Sequence, residues 1–169
     1  MINTAIITLS DRAYRGERED LTGPELKRFI ENNKDYSVKE EVLIPDECEK
    51  LRDILIDMCD NKKYDFIVTN GGTGLSKRDI TPETTLSIID REVPGISEYM
   101  RMKSSAITKR AVLSRGICGI RKESLIINLP GSPKGALENI ESIIDIIPHA
   151  IDTIKGNVSD CGKCIKNDR

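Results

Sequence analysis

Short apolar runs alternate with amphipathic stretches through the first half of the chain. Thr4-Ala-Ile-Ile-Thr-Leu9 is compact and β-rich, the pattern of a strand buried on both faces. The polar, glycine-containing segment from Ser10 to Asp20 predicts a loop leaving that strand. Thr22-Gly-Pro-Glu25 has the form of a capping box with proline in the first turn, and Leu26, Phe29 and Ile30 then fall on one helical face. Val38, Val42 and Ile44 alternate partially over Ser37 to Ile44, a second strand closed by Pro45. Asp46 and Glu49 repeat the capping pattern ahead of Leu51, Ile54, Leu55 and Met58, a stripe at helical spacing. Phe66-Ile-Val-Thr69 is a third strand and runs straight into Gly71-Gly-Thr-Gly74.

This β-α-β-α-β series predicts an α/β fold: a parallel sheet with right-handed crossovers and helices on both faces. Ligands of such sheets gather beyond the carboxyl ends of the strands, where Ser10-Asp-Arg12, Pro45-Asp46 and the loop from Gly71 to Asp79 would meet. The second half is less regular. Thr81-Pro82 predicts a helix cap with proline at the first helical position, with Leu86 and Ile89 inward. Glu92-Val-Pro-Gly95 breaks that helix, and another follows from about Ile96 to Ser104. Ala111 to Ser114 reads as a short strand or turn, and Ile117 to Arg121 and Leu125 to Asn128 read as strands. One long final helix would carry Ala136, Leu137, Ile140, Ile143, Ile144 and Ile147 on its inner face. With no repeat or linker, residues 1–156 are expected to form one domain and residues 157–169 a polar tail.

Charge excludes more than it suggests. Lys and Arg total 26 against 28 Asp and Glu in 169 residues, a balance that argues against a nucleic-acid-binding protein. No apolar run approaches the ~20 residues of a membrane span, and no secretory leader is evident, so the expected location is the cytoplasm, without a membrane partner. His149 is the only histidine, which excludes a site built on two or three imidazoles; it reads as a helix-terminal or packing residue. Cys48, Cys59 and Cys118 are scattered as buried intracellular thiols are. Cys161-Gly-Lys-Cys164 has the spacing of half a zinc site or a redox pair, but with no second pair an inert tail is the preferred reading.

Three segments carry candidate chemistry. Gly71-Gly-Thr-Gly74 suits a tight turn and a phosphate cradle equally, because glycine admits positive φ and lets amides approach an anion. Lys77-Arg78-Asp79 lies just ahead of a helix N-terminus, where Arg78 would match phosphate oxygens; Asp79 is either a salt-bridge partner of Arg78 or Lys77, or a functional acid. In Asn128-Leu-Pro-Gly-Ser-Pro-Lys134, Ser132-Pro133 opens a helix, and Lys134 in its first turn opposes the helix dipole unless a polyanion sits nearby. Arg115 and Arg121 add charge there or solvate a hairpin. Asp46 is either a helix cap, the preferred reading of the residue alone, or a ligand for Mg²⁺. Together these loops describe a site for a substrate with several phosphates, where positioning and charge neutralisation suffice.

The ordered set Ser10-Asp-Arg12, Asp20 with Thr22-Gly23, Ile44-Pro-Asp46, Thr69-Asn-Gly-Gly-Thr-Gly74, Arg78-Asp-Ile-Thr-Pro-Glu83, Ser114-Arg115 and Asn128-Leu-Pro-Gly-Ser-Pro-Lys134 resembles the MogA/MoaB family of molybdenum-cofactor biosynthesis, to which the gephyrin G domain is also similar. The resemblance covers about Ile2 to Lys155, with Asn70 standing where threonine is commoner. It implies a three-layer α/β/α fold with a mostly parallel sheet, a homotrimer, and transfer of AMP from Mg-ATP to the terminal phosphate of molybdopterin, with possible hand-over to a molybdenum insertase. It implies Asp79 and Asp46 as catalytic, Mg²⁺-steering acids, which displaces the cap-only reading of Asp46. Gly71, Gly72, Thr73 and Gly74 would surround the nucleotide phosphates, and Arg78, Ser114, Arg115, Ser132 and Lys134 would line the substrate and phosphate pocket. The alternatives are a non-catalytic trimeric pterin carrier of MoaB type, and a nucleotide-hydrolysing relative like the domain of competence-damage-inducible proteins.

Overall fold

The computed structural model describes residues 1–157. A six-stranded sheet in the order β2-β1-β3-β6-β5-β4 forms the middle layer. Its strands are β1 (Ile2–Leu9), β2 (Tyr36–Ile44), β3 (Phe66–Asn70), β4 (Arg91–Glu92), β5 (Cys118–Arg121) and β6 (Ser124–Leu129). β2, β1, β3 and β6 are parallel, and β5 runs antiparallel to both β6 and β4. Helices α2 (Thr22–Glu31), α5 (Pro94–Ser105), α6 (Pro133–Glu141) and α7 (Ile147–Ile154) pack on one face; α3 (Cys48–Ile56) and α4 (Thr81–Leu86) cover the other.

Side-chain alternation divides the core between the faces. Ile6, Phe66, Val68, Leu125 and Ile127 meet Leu26, Ile30, Ile140 and Ile151; Ala5, Ile7, Leu9, Ile67 and Ile126 meet Leu51, Leu55 and Met58. Both faces are buried, which explains why the strand sequences read as continuous apolar runs. Tyr36 joins the sheet edge to the helical layer: its hydroxyl donates to the Ile144 carbonyl at 2.6 Å. Tyr36→Phe is expected to cost about 1 kcal/mol and lower Tm by roughly 2–4 °C, measured by thermal denaturation.

Several local expectations are corrected. The segment after β1 is not all loop: α1 (Asp11–Tyr14) forms, with Ser10 accepting the Ala13 amide at its N-cap. Thr22 does not cap α2, because the Asp20 carboxylate accepts the amides of Thr22 and Gly23 instead. Thr81 is likewise inside α4 and spends its hydroxyl on the Gly71 carbonyl. Beyond α4 it is Ile88, not Leu86, that is buried; Leu86 faces solvent, while Ile89 packs against the core. Ala111 to Ser114 lies in a 3-10 turn (Lys109–Leu113) and its C-cap. The final helix is two helices, because the backbone turns between Ser142 and Ile146 and Pro148 lies in the first turn of α7. His149 sits exposed within α7, and Arg121 turns away from the strand ends to pair with Asp60. Cys48 is exposed, whereas Cys59 and Cys118 are buried; burial pushes their thiols up to about 11 and about 12. Cys161 and Cys164 lie outside the described residues. Among the described residues, no helix is long and apolar enough to cross a membrane.

Candidate functional site

The register brings Leu9 opposite Ile44, Thr8 opposite Asn70 and Asn70 opposite Leu129, so the four parallel strands end along one edge. α2 returns the chain on one face and α3 on the other, which makes the β1–β3 junction the switch point of the sheet. Gly71 fills the narrow space there. Its φ is +100° and a Cβ would stand 2.2 Å from the Leu9 carbonyl oxygen, while its amide donates to the Leu129 carbonyl. Gly72, at φ +63°, would place a Cβ 2.4 Å from the Thr81 hydroxyl and 3.3 Å from Asp46 Oδ1. The loop therefore needs glycine for sheet packing as well as for any ligand.

Two cavities open from this edge. The first, about 490 Å³, lies over the switch point and is lined by Thr8, Ser10, Asp46, Asn70, Gly71 and Asp79 among others. The second, about 670 Å³, lies toward α5 and α6 and is lined by Leu75, Ala111, Leu113 and Pro130, with Arg110 and with Arg101, whose guanidinium donates to the Gly116 carbonyl at 2.7 Å. Gly72, Asp79, Gly131 and Ser132 line both.

Asp46 does not cap α3, whose N-cap is Glu47. Its Oδ2 accepts the Asp11 amide at 3.0 Å, and Asp11 Oδ1 accepts the Asp46 amide at 3.1 Å, a reciprocal clasp between the ends of β1 and β2. Arg78 closes on Asp11 through the Nε–Nη2 edge of its guanidinium, at 2.8 and 3.0 Å, and lines neither cavity. Burial pushes the Asp46 carboxyl up, helped by the charges of Asp11 and Asp79 and opposed by the Asp11 amide and Arg78. Burial also works on Asp11, but the hydrogen bonds from Arg78 and the Asp46 amide, with the charges of Arg78 and Arg15, hold its carboxyl below the ordinary value.

A depressed carboxyl stabilises the fold above its unfolded pKa, and that stabilisation fades as pH falls through the folded value. Arg78→Gln is therefore expected to flatten the loss of stability on acidification below the ordinary carboxylate range, read as Tm against pH. An unchanged acid limb would exclude the Arg78–Asp11 pair as its source.

Asp79 pairs with neither Lys77 nor Arg78. Its Oδ2 accepts the Ser76 amide at 2.7 Å, and Gly74 packs closely against it, since a Cβ there would lie 3.0 Å from the same oxygen. Arg115 braces this loop from below: it donates to the carbonyls of Gly74 at 2.6 Å and Asp79 at 2.8 Å, and it pairs with Glu83. Its guanidinium holds the loop and does not line either cavity. Ser132 caps α6 at the junction of the cavities, and Ser114, Thr73 and Gly74 line the second cavity. Lys134 is outside both, 81% exposed and 3.8 Å from Glu138.

Sequence reasoning missed Asp11 as the partner of both Asp46 and Arg78, and Thr22, whose hydroxyl ties α2 to the Gly131 carbonyl. The Ser10-Asp-Arg12 and Thr22-Gly23 motifs pointed to both residues but to neither one's distant partner. Asn70 adds one more feature: its amide donates to Thr8 Oγ1, and its Oδ1 is buried with no partner among the described residues.

As a donor set, Asp46 and Asp79 are two carboxylates on one cavity, each with one oxygen engaged by a backbone amide and the other taking no hydrogen bond from a described residue. Hard oxygen ligands of this number suit Mg²⁺ completed by phosphate oxygens and water.

Known proteins resemble this chain over the segments that build the site. The family model described as the probable molybdopterin binding domain matches residues 5–149. A molybdopterin adenylyltransferase of Helicobacter pylori strain J99 is 41% identical over 160 residues, covering 92% of this chain and 89% of its own. One from Haemophilus influenzae is 38% identical over 167 residues, covering 98% and 84%. The crystal structure of the molybdopterin biosynthesis enzyme MoaB from Thermus thermophilus superimposes with a TM-score of 0.87 at 43% identity, covering 92% of this chain and 98% of that one. The match spans both cavities and every loop at the strand ends, and the chain belongs to the family of molybdopterin-binding domains of molybdenum-cofactor biosynthesis.

Proposed function

We propose that this chain is a molybdopterin adenylyltransferase. The observation that carries the reading is the position of Asp79 at the junction of two cavities, so that two phosphate-bearing substrates can meet over one carboxylate. The first cavity, with Asp46 and Asp79, is assigned to ATP; the larger second cavity, lined by apolar residues and Arg110, is assigned to molybdopterin.

In the reaction, an oxygen of the molybdopterin terminal phosphate forms a bond to the α-phosphorus of ATP. The bond from that phosphorus to the bridging oxygen of the β-phosphate breaks, and pyrophosphate leaves. The attacking phosphate is largely dianionic near neutral pH, so no strong base is needed. Catalysis then rests on alignment and charge neutralisation. Asp46 and Asp79 would hold Mg²⁺, which supplies positive charge to the triphosphate. Gly72, Gly131 and Ser132 line the same junction, where glycine backbone and the N-terminus of α6 favour phosphate oxygens. Arg115 and the Asp11–Asp46 clasp fix the two acids relative to each other.

A homotrimer is part of this reading. Tyr99, Met102, Ile107, Val112 and Leu113 expose apolar surface along α5 and the following 3-10 turn, and such a surface suits a subunit contact. The adenylylated product would pass to a molybdenum insertase. The test is incubation of the purified chain with molybdopterin and Mg-ATP. Formation of adenylyl-molybdopterin with one pyrophosphate per product supports the reading, and pterin binding without pyrophosphate release would select a carrier instead.

A further inference from the structure

We propose that Glu138 is the specificity-determining residue of the second cavity, accepting the paired N–H donors of a 2-amino-4-oxo pyrimidine ring, the recognition edge of a pterin. The inference rests on the assignment of that cavity to molybdopterin and adds the group that reads the ring.

The cavity shares its inner end with the first cavity at Asp79 and Ser132 and then follows α6 outward, past Gly135 to Glu138 and Asn139. Glu138 lies six residues beyond Ser132, about 9 Å along a helix axis. A phosphate at the junction therefore lays the ring system of its own molecule along α6, with the far edge near Glu138.

Among the described residues, Asp79 and Glu138 are the only carboxylates lining this cavity, and Asp79 is at the phosphate end. The Glu138 side chain is only 24% exposed, yet it accepts no hydrogen bond from any described residue. Its nearest cation, Lys134, stands 3.8 Å away and is itself 81% exposed. Asn139 offers it nothing, since its amide donates to Ser104 Oγ and the Gly135 carbonyl. A partly covered carboxylate with no hydrogen-bond donor among the described residues has acceptor capacity to spare.

Two parallel N–H groups would use it, because a carboxylate accepts such a pair in a bidentate, charge-assisted fashion. The exocyclic 2-amino group and the neighbouring ring N–H of a pterin form that pair. Adenine alternates donor and acceptor on its corresponding edge and does not match. Guanine carries the same two donors as a pterin, so the experiment separates these two sources.

The test measures equilibrium binding, without ATP, of 6-hydroxymethylpterin, the corresponding 2-oxo compound (a lumazine) and GMP to the wild-type chain and to Glu138→Gln. Molybdopterin and ATP are titrated separately. Wild type is expected to prefer the 2-amino compound over the 2-oxo compound by about tenfold or more. The glutamine amide presents one donor and one acceptor, which fits the lumazine edge. Glu138→Gln should therefore weaken 6-hydroxymethylpterin and molybdopterin by about tenfold or more and abolish or reverse the preference. ATP affinity and the circular dichroism spectrum should be unchanged.

Equal discrimination in wild type and variant overturns the proposal, as does wild-type indifference to the 2-amino group. Glu138-dependent binding of GMP with no binding of 6-hydroxymethylpterin or molybdopterin also overturns it. Failure of adenylyl transfer with intact, Glu138-dependent pterin discrimination would instead overturn the adenylyltransferase reading alone.

Discussion

Asp79→Asn is expected to lower adenylyl transfer by about 10²–10³-fold or more while leaving the fold intact. The variant keeps an oxygen that can accept the Ser76 amide, so the loop retains its internal bond. It also keeps the side-chain volume that packs beside Gly74. What it loses is the negative charge at the point shared by the two cavities. The check is product formation under saturating substrates, alongside Tm and separate titrations of ATP and molybdopterin. If turnover is unchanged, Asp79 has no role in the reaction; if Tm falls steeply, its role is structural.

Gly71→Ala is expected to produce the largest loss of stability. The backbone is at φ +100°, and the added methyl would stand 2.2 Å from the Leu9 carbonyl oxygen, an atom that cannot rotate away. Strain of this kind, added to displacement of a buried strand end, should cost about 3–5 kcal/mol. In a domain of this size that is roughly 10 °C or more in Tm. Gly95→Ala is the internal control. It lies in α5 with open space where the added methyl would stand, so the same change should be neutral or stabilising by up to about 1 kcal/mol. Equal responses from the two variants would show that close packing at the switch point does not matter.

The strands were legible because burial on both faces leaves few polar residues in them, and helical stripes such as Leu51, Ile54, Leu55 and Met58 marked what covers the sheet. The caps were misread for a shared reason. Thr22, Thr81 and Asp46 have the composition of N-caps, but each side chain hydrogen-bonds across the fold instead, to Gly131, Gly71 and Asp11. Local propensity cannot reveal a partner that is distant in sequence. The same limit hid the Arg78–Asp11 pair, whose members are 67 residues apart. The loops of the candidate site were visible as glycine and charge at strand ends. Their division into two cavities was not, because it depends on where α5 and α6 pack.

The two borders of the sheet bear on how copies of this protein can join. On one side β2 presents Lys39, Glu40 and Glu41, with Glu40 and Glu41 held in ion pairs with Lys62 and Lys27. On the other, β4 is only two residues long. Charged or truncated borders are poor templates for strand addition, which protects a β-rich centre from open-ended polymerisation. Any self-association would therefore be steered to helical surfaces, where contacts can close into a finite ring.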